Sequence, residues 1–210
     1  MSLAGLLTIL DDDPQLHDAV SRAEYDATPR ADAGTSDSPA LTGDDLVAPP
    51  TLRPVLAAAL ARRTHGDARG FVLAVTATAR EANDLALALS SFLPADGVAC
   101  FPGWETLPHE RLSPRSDTVG QRIAVLRRLA HPAPPGEPNG PLTVVVAPIR
   151  SMLQPRVAGL GALEPVSLHN GQAGELDDLL ARLVEIGYFR VDLVTSPGEI
   201  AVRGGIVGVF

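Results

Sequence analysis

FVLAVTATAREANDLALAL, residues 71–89, decides the fold class. It opens on five consecutive apolar residues, Phe71 to Val75, a run of strand length suited to a sheet covered on both faces. Thr78 stands three residues before Glu81, the spacing of a capping box in which hydroxyl and carboxylate each take a backbone N–H. Behind it Ala82, Leu85, Ala86 and Leu89 recur at helical spacing and predict a helix with one apolar face. A strand that turns at once into an amphipathic helix is the repeating unit of an α/β layer.

The flanking segments extend the same pattern. VACF (98–101) and TVVVA (143–147) read as two more strands. PPTLRPVLAAALARR (49–63) predicts a helix from Pro54, with Arg62 and Arg63 placed to complement its C-terminal dipole. Another helix is expected from near Asp117, with Val119, Ile123, Leu126 and Ala130 on its apolar face and its end before Pro132. HPAPPGEPNGP (131–141) is too rich in Pro for regular structure, and Pro148 opens a short helix ending near Pro155. Alternation of strand and helix predicts a parallel, doubly wound α/β sheet.

Toward the N-terminus, residues 3–24 predict a helical pair broken at Asp13-Pro14, with Asp as cap and Pro at the first helical position. Residues 26–45 are small, polar and turn-rich, the composition of a loosely packed insert. After Gly159 the texture changes to a small α+β unit. Its helix, 174–187, has Leu176, Leu179, Leu180 and Leu183 on one face, carboxylates in the first turn and Gly187 at its end. YFRVDLVTSPGEIAVRGGIVGVF then predicts two strand-like pieces meeting at Ser196-Pro197-Gly198. The apolar GGIVGVF runs to the last residue, so this unit is expected to be incomplete. The expected division is a helical segment and insert at 1–45, an α/β domain at 46–158 and the partial α+β unit at 159–210.

Composition narrows the chemistry. The 210 residues carry a net charge of −8, against the basic balance usual in a free-standing DNA-binding module. All 17 basic residues are Arg, consistent with a GC-rich coding sequence. Without a Lys, no phosphate loop of the GxxxxGK[ST] type can form, which argues against nucleotide hydrolysis by this chain. Cys100 is the single cysteine and sits in a strand-like run, which predicts a structural thiol. The five His are scattered, Asp177 and Asp178 are helix neighbours that face apart, and no catalytic, cofactor-binding or metal-binding constellation is expected. MSLAGLLTIL lacks a basic flank and no run reaches membrane-spanning length, so a cytoplasmic protein without membrane partners is expected.

WETLPHERLSPRSDTVGQR (104–122), VVVAPIRSMLQP, GYFRVD and VRGGIVGVF, in that order, resemble the N-terminal region of bacterial transcription-repair coupling factors, itself similar to the damage-recognition protein UvrB. The similarity runs over about residues 46–210, and the Arg-only, Ala-rich composition looks actinobacterial. The resemblance implies a parent that is an ATP-driven DNA translocase, displacing stalled RNA polymerase and recruiting the repair protein UvrA. ATP and magnesium would belong to the parent's motor, beyond these residues, as would the contacts to polymerase and DNA. The α/β part would be a degenerate P-loop NTPase domain, because the corresponding loop, LVAPPTLRP (46–54), has neither glycines nor Lys. The small unit would be a docking element for UvrA.

Carried over residue by residue, the resemblance places Arg203 in the UvrA-binding surface. An Arg beside two glycines can bring a planar fork to a partner carboxylate. Gly204 and Glu199 join it as candidate contacts. The competing structural reading has Gly204-Gly205 as a bulge and Arg203 paired with Glu199. Trp104 and Arg122 are expected in an anchoring or interdomain role, with Trp104 over the end of the sheet. The run Arg111, Arg115, Arg122, Arg127, Arg128 offers an alternative, a nucleic-acid-binding face. Glu105, Glu110 and Asp117 oppose it, no aromatics interleave, and a solvated helix face is the simpler expectation.

Overall fold

The computed structural model describes residues 3–10, 12–27, 45–62, 64–65, 68–69, 71–106, 113–137, 139–155, 164 and 166–210. Most of the predicted insert, together with Arg63 and Arg111, lies outside the described residues.

Helices α1 (Ala4–Leu10) and α2 (Pro14–Ala27) meet at the expected break, where Asp13 Oδ1 accepts the amides of Gln15 and Leu16 at 2.9 and 3.0 Å. A 3₁₀ turn at Pro50–Leu52 leads into α3 (Arg53–Arg62). Val55, Ala57, Ala58, Ala59 and Ala61 of α3 are buried, and such short side chains let neighbouring elements approach closely. A two-residue ladder, β1 (Thr64–His65) with β2 (Ala68–Arg69), precedes the main sheet.

That sheet has three parallel strands in the order β3 (Val72–Thr76), β5 (Val144–Pro148), β4 (Val98–Cys100). Val144 is in register with both Val72 and Val98, so β5 is the central strand although it comes last in the chain. Its five residues are all buried. On one face Val144 and Val146 join Leu7, residues of α3, and Ala82 and Leu89 of α4 (Ala79–Leu89). On the other, Val145 and Ala147 join Phe101, Leu142 and Val125 of α5 (Ser116–Ala130). Helices on both faces give the α/β layer the sequence predicts. Each fully buried Val contributes about 1.5–3 kcal/mol relative to an exposed one, so β5 anchors the layer.

The predicted capping box forms. Thr78 Oγ1 accepts Glu81 N–H at 3.2 Å, while the Glu81 carboxylate accepts the amide of Ala77, one residue further back than the usual partner. Two expectations need correction. FVLAV is not covered on both faces: β3 lies at the sheet edge, and Leu73 and Val75 are 45% and 48% exposed where α5 does not reach. On α5 the inward face is turned by one position, with Arg122 and Val125 buried and Ile123 45% exposed.

β5 runs directly into α6 (Ile149–Leu153). The second unit starts with α7 (Leu176–Glu185), where Leu183 is buried and Leu176, Leu179 and Leu180 are half-buried, the face the spacing predicts. It ends in a Schellman arrangement: Gly187, φ 103°, donates to Val184 O and Tyr188 N–H reaches Leu183 O. A second sheet follows in the order β6 (Phe189–Arg190), β7 (Glu199–Arg203), β8 (Ile206–Val209). β6 is parallel to β7, so Ser196-Pro197-Gly198 ends a crossover and is not a hairpin turn. The hairpin lies inside the second strand-like piece, at Gly204-Gly205. No helix among the described residues is long and apolar enough to cross a membrane.

Candidate functional site

In an open parallel sheet, ligands bind beyond the carboxyl ends of the strands. Here that end, past β4 and β5, holds the chain's own side chains. Phe101 and Trp104 follow β4, and Arg122 reaches between them from α5, its guanidinium carbon 4.2 and 4.3 Å from the two ring centroids. Arg122 Nη1 donates to Pro102 O at 2.6 Å, and the residue is only 2% exposed. A cation held between two rings and bonded to a carbonyl keeps its charge solvated by the protein, which a buried guanidinium requires.

Gln154, just after α6, closes the cluster. Its Oε1 accepts Trp104 N–H at 2.6 Å, and its Nε2 donates to Trp104 O at 3.2 Å. Gly103 packs against this pair, and a β-carbon there would stand in ordinary contact, 3.4 Å from Gln154 Oε1. Glu105 accepts a hydrogen bond from Thr118 in the first turn of α5, which holds its carboxyl below the ordinary range. Trp104 and Arg122 thus lie at the end of the sheet, and the loop is fastened to both flanking helices. Gln154 was invisible in the sequence, because a polar residue after a short helix carries no pattern.

The remaining arginines of the run are divided. Arg128 turns inward, donating to Gly140 O at 2.9 Å and to Asp96 O. Arg115 lies 3.5 Å from Asp117, and both side chains are exposed. Arg111 lies outside the described residues. With Arg122 and Arg128 committed to carbonyls, the described arginines of the run do not form a continuous basic strip. Cys100 is half-buried beside Asn83 Oδ1 at 3.5 Å, and burial raises its thiol pKa, the setting of an inert thiol.

The second candidate, Arg203, is the last residue of β7 and is exposed. It pairs in register with Ile206 across Gly204 (φ 56°) and Gly205 (φ 85°). Two positive-φ residues between paired strands make a type I′ turn, so the glycines form a tight hairpin and not the bulge considered above. Glu199 lies at the other end of β7. Its Oε2 accepts Thr195 N–H at 2.7 Å, Thr195 Oγ1 at 3.1 Å and Ser196 N–H at 2.9 Å. The first of these, with Ser196 next, lowers its pKa. Glu199 therefore pins the β6–β7 crossover and does not orient Arg203. Among the described residues no carboxylate lies within ion-pair distance of Arg203.

Residues 166–210, which contain this hairpin, match the family described as the UvrB interaction domain. The transcription-repair-coupling factors of Mycobacterium bovis and Mycobacterium tuberculosis are each 52% identical to the chain over 165 residues, 79% of the chain and 13% of those proteins. That of Bacillus subtilis is 32% identical over 161 residues, 75% of the chain and 12% of that protein. The chain spans 13% of the length of the mycobacterial relatives. By this similarity it belongs, over those residues, to the transcription-repair-coupling factor family.

Proposed function

We propose that the chain is a non-catalytic adaptor section that contributes to recruiting UvrA, carried by a longer cytoplasmic protein. In this reading 46–158 is a degenerate P-loop NTPase domain and 159–210 the partial docking unit, with 1–45 as helical lead and insert. ATP, magnesium, DNA and stalled RNA polymerase are handled by other segments of the parent translocase. The observation that carries the reading is the match of 166–210 to the UvrB interaction domain, with Arg203 exposed and unpaired among the described residues at a tight two-residue turn. An unpaired guanidinium gives up no partner of its own on meeting a carboxylate, and its planar fork can bond both oxygens at once. Loss of nucleotide chemistry is supported by LVAPPTLRP, where a Pro-led 3₁₀ turn replaces a glycine-rich loop, and by the side chains filling the carboxyl end of the sheet.

The test is UvrA binding by the full-length protein, wild type and Arg203→Glu, with and without nucleotide. Micromolar or tighter binding that needs no nucleotide and weakens at least tenfold in the variant is the expected result. Unchanged affinity in Arg203→Glu would overturn the assignment of the surface. A nucleotide-induced thermal shift of the isolated section would overturn the loss of its nucleotide site.

A further inference from the structure

The register of the small sheet places Phe189, Glu199, Ala201, Arg203, Ile206 and Gly208 on one face, because directly paired and alternate residues point the same way. Two of these are large, apolar and open: Phe189 is 73% and Ile206 75% exposed. Ile206 stands directly opposite Arg203, where β-carbons of paired residues are about 5 Å apart. Phe189, paired with Glu199, lies four residues back along β7, about 13 Å away. Between them the face is shallow, since its central pair is Ala201 and Gly208. Val194 of the crossover fills that notch, its Cγ2 3.5 Å from where a Gly208 β-carbon would stand. Glu199 holds the crossover there through Thr195 and Ser196. The opposite face carries Ile200, which is fully buried, together with Val202, Val207, Val209 and Arg190.

From this geometry we propose that Phe189 and Ile206 are apolar anchors of the docking surface, at the two ends of the face that presents Arg203. The inference rests on the adaptor reading above and commits to the same partner. Its chemistry is specified further: a carboxylate for Arg203, flanked by apolar side chains that cover Ile206 and Phe189. A large exposed side chain beside an unpaired cation, with a second at the far end of the same face, fits the composition of an interface core, where a few residues carry most of the affinity. The ion pair of Arg203 is screened by salt, whereas the apolar contacts of these two side chains are not.

The experiment measures UvrA affinity of the full-length protein for wild type, Phe189→Ala, Ile206→Ala, Arg190→Ala and Arg203→Glu. Thermal unfolding of each variant is followed alongside. Phe189→Ala and Ile206→Ala are each expected to weaken binding about tenfold or more, with Arg190→Ala, on the opposite face, within twofold. Phe189→Leu and Ile206→Val should recover most of the loss, which separates lost contact from lost folding. Loss in Arg203→Glu with both alanine variants unchanged would overturn the anchors and leave the adaptor reading standing. A greater loss from Arg190→Ala than from Phe189→Ala would put docking on the other face and overturn the inference. Wild-type protein that does not bind UvrA would overturn the adaptor reading and the anchors with it.

Discussion

Arg122 and Arg203 are the same side chain put to opposite uses. Arg122 is sealed between two rings and spends a donor on Pro102 O; Arg203 stands exposed at a hairpin with no carboxylate in ion-pair range among the described residues. The first holds the α/β layer together, because a buried guanidinium stabilises only where its solvation is replaced group by group. The second contributes little to folding, because water already solvates it. An arginine's role is therefore read from what surrounds its fork, and composition alone cannot separate the two.

The comparison breaks first at Arg122. Arg122→Ala removes both ring contacts, strands the Pro102 carbonyl and leaves a cavity, so a loss of about 3 kcal/mol in chemical denaturation is expected. Arg203→Ala should change stability by no more than about 0.5 kcal/mol. Equal effects at the two positions would show that the cluster does not hold the layer. A smaller effect sits at the turn: Gly204→Val forces a β-branched residue to φ 56°, at an expected cost of about 1–2 kcal/mol. Gly204→Asn, which visits that region readily, should recover most of it. At Gln154→Ala the expected loss is about 1 kcal/mol, with Trp104 emission shifted to the red as its backbone is released. An unchanged spectrum would mean that Phe101 and Arg122 suffice to hold the ring.

How much of this the sequence revealed depends on how local each signal is. The Thr78–Glu81 box, the Asp13 cap, the α7 face and Gly187 are set within a turn of chain, and all form as read. The burial of β3 is not local. TVVVA, 72 residues later, takes the centre and leaves FVLAV at an edge, so a run suited to a core strand ends half open. The buried face of α5 is not legible in the sequence, because Arg122 is polar by type and buried only through its rings and carbonyl. Phe101 and Trp104, three apart after a strand and a short reach from an Arg on the next helix, were the available signal. Gly204-Gly205 between VR and IV also carried a hairpin signal, which the more conspicuous Ser196-Pro197-Gly198 obscured.

The finest test concerns Glu199, at the far end of the strand from Arg203. Three hydrogen bonds from Thr195 and Ser196 favour its charged form and lower its pKa below the ordinary glutamate value. A carboxyl depressed on folding stabilises the folded state above its unfolded pKa, and that contribution fades as pH falls through the lower folded value. The crossover carrying Val194 should therefore stay pinned at neutral pH and loosen only in acid. Amide hydrogen exchange at Thr195 and Ser196, corrected for intrinsic rates, should show protection that declines as Glu199 protonates, while Val202 and Val207 in the hairpin are unaffected. Glu199→Gln, which keeps an acceptor oxygen but no charge, should make the protection weaker and independent of pH. If protection stayed flat with pH in the wild type, Glu199 would be a bystander, and Val194 packing alone would hold the loop.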